Sequence, residues 1–141
     1  MLTKIAKDFY WEMSHRLPFH KGPCRNIHGH SYRIRVEVAG ELNEEGMILD
    51  YYDLKVLFLP IIEMLDHCFV VDKDDKLMID FLKENGMKYH ITEKPTTAEY
   101  LVEYIFSLVI DQFRQNYSNI KHLMIRLYET EDVYAEVSGE V

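Results

Sequence analysis

The chain has 141 residues, 48% hydrophobic and 13% aromatic, with six Gly and four Pro, enough apolar matter for one buried core and unlike a low-complexity or disordered chain. Sixteen basic against 24 acidic residues leave a net charge of −8, a poor basis for binding nucleic acid or an anionic membrane. No apolar run approaches the roughly 20 residues of a membrane span, Met1–Lys4 leads into polar sequence rather than a signal-peptide core, and Cys24 and Cys68 are too few for a disulfide scaffold, so the expectation is a cytoplasmic protein of one domain, 1–141, with reduced thiols.

Residues 5–15 read as a strand, and residues 16–27, with two Pro and a Gly, as a loop. Residues 28–40 alternate strictly and make a second strand. The chain turns back between Gly40 and Gly46, and Met47-Ile48-Leu49 is expected to pair with that second strand. Asp50 fits a helix N-cap, with Asp53 in the first turn. Leu54, Phe58, Ile61, Ile62 and Leu65 continue as a helical stripe. Pro60 inside it should kink or break the helix, at a cost of about 3 kcal/mol if undistorted.

Residues 66–95 are mixed. The charge run Asp72–Lys76 reads as a solvated loop, and Phe81 marks a short helix. Thr96 with Glu99 fits a capping box opening a long helix that carries Leu101, Val102, Ile105, Leu108, Val109 and Phe113. Residues 121–129 and 133–140 alternate again. The order ββααββ predicts an α+β fold: an antiparallel sheet with two helices on one face.

Strand side chains alternate with period two. Tyr32, Ile34, Val36 and Val38 share a face, which extends backwards to His30 and His28. In the first strand Phe9, Trp11 and Met13 share a face that ends at His15. A buried imidazole must satisfy both ring nitrogens, and a metal satisfies one of them. One histidine at a strand end is usually just hydrogen-bonded. Three converging make a His₃ set suited to Zn²⁺ with one open position. For His20, His90 and His122 no special role is needed.

Leu123, Ile125 and Leu127 share a face that ends at Glu129, a carboxylate that either caps a backbone amide or grips a ligand. Cys24 lies four residues before His28. It is a base or nucleophile, an inert loop thiol, or a fourth metal ligand. Asp66 and His67 are adjacent, which in an extended segment points their side chains apart; Cys68 reads as a small core residue.

Ser14-His15-Arg16-Leu17, Cys24-x-x-x-His28-Gly29-His30, Gly46-Met47-Ile48-Leu49-Asp50-Tyr51, Leu65-Asp66-His67, Pro95-Thr96-Thr97-Ala98-Glu99 and Tyr128-Glu129-Thr130 occur in this order. With these motifs, nearly the whole chain resembles the 6-pyruvoyl-tetrahydropterin synthase family, including its bacterial 6-carboxytetrahydropterin branch of the queuosine pathway. The resemblance implies that His15, His28 and His30 hold Zn²⁺. It implies a catalytic triad of Cys24, Asp66 and His67, with Cys24 and the Asp66-His67 pair from different subunits. Glu129 would anchor a pterin ring, with Thr97 and Glu99 lining the same pocket; for Glu99 the capping box competes.

The implied architecture is the tunnelling fold, in which trimers close a multi-subunit antiparallel β-barrel and two trimers stack as a hexamer. The implied reaction is a zinc-dependent lyase step on 7,8-dihydroneopterin triphosphate, giving 6-carboxytetrahydropterin with loss of triphosphate and acetaldehyde. Arg16, Lys21 and Arg25 are placed to meet the triphosphate. The alternatives are the pyruvoyl branch, which keeps the side chain, a non-catalytic pterin- or metal-binding paralogue, and a structural zinc site in an assembly protein. Val70 to Lys94 is longer than compact bacterial members would carry.

Overall fold

The structure is a computed structural model that describes residues 1–141. Its elements in chain order are β1 (Thr3–His15), β2 (His28–Gly40), α1 (Tyr51–Leu65), β3 (Cys68–Asp72), α2 (Lys76–Glu84), β4 (Tyr89–Thr92), α3 (Ala98–Asn116), β5 (Ile120–Tyr128) and β6 (Tyr134–Glu140), with one 3₁₀ turn at Pro23–Arg25. They form one six-stranded sheet in the order β4-β3-β1-β2-β5-β6.

The expected long strands and long helices are present, and β1-β2, β2-β5 and β5-β6 pair antiparallel. The sheet is nevertheless mixed, because β3 runs parallel to β1 and β4 parallel to β3. Cys68-Phe69-Val70-Val71 escaped the sequence reading because all four residues are buried, so the run shows no alternation. Cys68 and Val70 join the main core, built from β1, β2 and β5 against α1 and α3. Phe69 and Val71 point into a second, smaller core with Met78 and Leu82 of α2. The short helix expected around Phe81 is α2; it packs on the face opposite α1 and α3, so three helices, not two on one face, accompany the sheet.

Three local expectations also change. Met47–Leu49 makes no strand, since both edges of β2 are taken by β1 and β5. Instead Ile48 and Leu49 bury their side chains in a loop whose Ile48 carbonyl accepts the Asn119 side-chain amide at 2.9 Å. Helix α1 is capped by Asp50, whose carboxylate accepts the Tyr52 N–H, and it runs through Pro60 unbroken. Val56, whose carbonyl loses its i+4 donor to that proline, is 51% exposed and open to water. The charge run is only partly solvated: Asp75 is 7% exposed and caps α2. No helix is long and apolar enough to cross a membrane.

Candidate metal centre

The register of β1 against β2 sets His15 opposite His28 and Met13 opposite His30. Opposed residues share a face, so His15, His28 and His30 emerge together on the side covered by α1 and α3. One ligating nitrogen from each ring lies within 4.8 Å of the other two. The Nε2 atoms of His15 and His30 are 3.2 Å apart. Two nitrogens each about 2.0 Å from one ion at a tetrahedral angle would be about 3.3 Å apart.

Two of the three outer nitrogens are already committed. His15 Nδ1 donates to the Thr96 carbonyl at 2.9 Å and lies 3.2 Å from the Thr96 hydroxyl. His28 Nδ1 donates to the Asn26 carbonyl at 2.8 Å. A proton on Nδ1 leaves Nε2 with its lone pair facing the centre. His15 is 1% exposed. Burial, opposed by the Thr96 carbonyl and aided by His28 and His30, lowers its pKa from 6.5 to about 4, so the ring is neutral, as ligation requires. Burial likewise lowers His30. The donor set fits a divalent, imidazole-binding metal such as zinc.

Glu129 follows directly on β5. Its carboxylate oxygens lie 4.0 Å from His15 Nε2 and 3.9 Å from His30 Nε2. Burial, then the nearby Glu99, push its carboxyl above the ordinary value, with His28 opposing. It does not cap a backbone amide; it stands beside the histidines. Tyr32, next on the same face of β2, packs edge-on to His30 and closes the site from below.

Helix α3 is capped by Thr97, whose hydroxyl accepts the Tyr100 N–H at 3.2 Å. The capping box from Thr96 to Glu99 therefore does not form. Thr96 is fully buried against His15, and Glu99 sits exposed in the first turn of α3, where its charge reaches Glu129. Thr96 was missed as a site residue, since its main contact is through a carbonyl that every residue owns.

Asp66 and His67 do meet. His67 Nδ1 lies 3.0 Å from Asp66 Oδ1. The segment is not extended there: His67 has φ 56°, a left-handed backbone that costs a non-glycine residue about 1–2 kcal/mol. The Asp66 carboxylate also accepts the Glu12 N–H at 3.1 Å. That bond, then His67, hold its carboxyl below the usual range.

His67 opens on a cavity of about 410 Å³ lined also by Glu12, Ser14, Gly29, His30 and Ser31. By strand parity Glu12, Ser14 and Ser31 belong to the face opposite the three histidines. Cys24, half-buried in the 3₁₀ turn, accepts the Leu17 N–H on its carbonyl at 2.8 Å. No hydrogen bond or ion pair joins it to Asp66 or His67 within the chain. Arg16 is not free for an anion. It forms a two-pronged ion pair with Asp75, at 2.7 and 2.6 Å.

A family model described as 6-pyruvoyl tetrahydropterin synthase matches residues 4–140. The 6-carboxy-5,6,7,8-tetrahydropterin synthase of Haemophilus influenzae is 32% identical over 144 residues, covering 96% of this chain and 98% of that protein. The protein of the same name from Aquifex aeolicus is 28% identical over 162 residues, covering 99% of this chain and 100% of that one. The crystal structure of 6-pyruvoyl tetrahydropterin synthase from Plasmodium vivax shares the fold, with a TM-score of 0.77 at 16% identity, over 100% of this chain and 99% of that one.

Proposed function

Because the chain belongs to the 6-pyruvoyl tetrahydropterin synthase family, we propose that it is a 6-carboxytetrahydropterin synthase acting on 7,8-dihydroneopterin triphosphate. Relatives that carry that name along almost their whole length support this branch. The observation that carries the reading is the meeting of three imidazoles, two of them with their outer nitrogens already bonded, beside the half-buried Glu129.

His15, His28 and His30 would hold zinc. Bound there, it supplies Lewis-acid polarisation of the substrate's side-chain hydroxyls. The remaining work falls to the chain's own groups. Glu129 accepts hydrogen bonds from the pterin ring through two oxygens, and Thr97 and Glu99 border the same pocket. Cys24 moves a proton between the side chain and the ring. His67, steadied by Asp66, exchanges that proton with the thiol. Lys21 and Arg25, both exposed in the loop before His28, face the triphosphate.

Within one chain no hydrogen bond or ion pair joins Cys24 to Asp66 or His67, although His67 shares its cavity with His30. That favours a site completed by a second copy, with Cys24 from one subunit and Asp66-His67 from its neighbour. We place this in a homo-oligomer built on trimers, each closing a β-barrel.

The test is incubation of the purified protein with dihydroneopterin triphosphate and identification of the products by mass. Acetaldehyde with 6-carboxytetrahydropterin is expected. A pyruvoyl product moves the protein to the other branch, and no turnover by the zinc-loaded protein points to a binding paralogue.

A further inference from the structure

The left-handed backbone at His67 needs an explanation, because a non-glycine residue, even histidine, adopts it only at a cost that its surroundings must offset. The conformation depends on the peptide unit between Asp66 and His67. Rotating that unit changes ψ of Asp66 and φ of His67 together. Both of its polar groups are tied. Its N–H donates to the Glu12 carbonyl of β1 at 2.7 Å. Its carbonyl accepts the Lys88 ammonium at 2.6 Å.

Lys88 comes from the far end of the segment that carries α2. Its ammonium also donates to the Glu63 carbonyl at 2.7 Å. Its own carbonyl accepts the Phe69 N–H at 3.0 Å, just past the turn. The lysine thus straddles the turn from both sides. A cation at the C-terminal end of α1 is also the favourable sign for the helix dipole and for carbonyls left without helical partners.

We propose that Lys88 is a positioning residue: by holding the Asp66 carbonyl it fixes the Asp66–His67 peptide and so aims the His67 imidazole at the thiol it serves. This rests on the reading of His67 as a proton-transfer group. Without the ammonium, the peptide keeps only the Glu12 bond and the left-handed strain can relax by rotation. The imidazole then swings away from its place while the zinc ligands, on other strands, stay put. The longer stretch between β3 and β4 thereby gains a purpose, since it delivers this lysine to the catalytic turn.

The experiment compares Lys88→Met, which keeps the stem, and Lys88→Arg, which keeps the charge, with the unsubstituted zinc-loaded protein. Steady-state turnover of dihydroneopterin triphosphate and the backbone chemical shifts of His67, which report φ, are both measured. Lys88→Met should lose about 10²-fold in kcat, with KM and zinc content unchanged. Its His67 shifts should leave the left-handed range, and Lys88→Arg should recover most of both. Unchanged kcat in Lys88→Met, even with a lower Tm, overturns the proposal, as does a fall in kcat with His67 still left-handed. Absence of turnover in the unsubstituted protein sinks the assigned reaction instead, and the His67 shifts then decide by themselves whether Lys88 fixes the turn.

Discussion

His15 at the end of β1 donates its Nδ1 proton to the carbonyl of Thr96, 81 residues further along the chain and one residue before the cap of α3. One bond joins the sheet to the start of the longest helix and fixes which nitrogen of a buried imidazole faces the other two histidines. Such outer partners of ligating histidines govern metal affinity. Thr96→Val removes the hydroxyl and keeps the carbonyl, so zinc affinity should fall less than about tenfold, below the upper range for losing an outer partner. A competition titration with a chromogenic chelator checks this.

His28→Ala should abolish stoichiometric zinc, because three imidazoles are the minimum the site offers. Elemental analysis should fall from about one metal per chain to near none. Circular dichroism should keep the native pattern, since the main core does not include His28. Unfolding on chelation would identify the site as structural and remove the catalytic reading.

Asp75→Ala should cost about 3 kcal/mol. It strands Arg16, whose side chain is 20% exposed, and it uncaps α2. Denaturant unfolding measures the loss. A change below about 1 kcal/mol would show that water reaches the guanidinium freely.

Iodoacetamide at pH 8 should modify Cys24 and spare Cys68. Cys68 is 1% exposed, and burial, against the opposing charge of Lys88, pushes its thiol up to about 11. Peptide mass mapping reads both sites. The same shift has a sign for stability. In the unfolded chain this thiol ionises near 9.0 and in the folded chain only near 11, so its contribution is intact below 9.0 and is lost as pH rises to about 11. A Cys68→Ala variant should lack that part of the alkaline decline in Tm.

The histidine cluster was legible in the sequence because strand geometry is periodic. Trp11, Met13 and His15 share one face of β1, and Tyr32, His30 and His28 one face of β2, whatever else the chain does. Glu129 was legible in the same way from Leu123, Ile125 and Leu127. The Asp66–His67 contact was not, since it requires a left-handed backbone that no spacing announces. Nor was β3, where burial on both sides erases alternation, nor the sharing of Asp75 between the cap of α2 and Arg16.

Alternation and capping chemistry are local properties. From them the amino-acid sequence alone determined the long strands, the long helices and the side of the sheet on which three imidazoles and a carboxylate emerge. The tertiary structure alone decided the parallel strands β3 and β4, the carbonyls that orient His15 and His28, and the grip of Lys88 on the Asp66–His67 turn. The physical reason is that carbonyls are common to every residue, so which one meets a given donor depends on how distant segments come together in space.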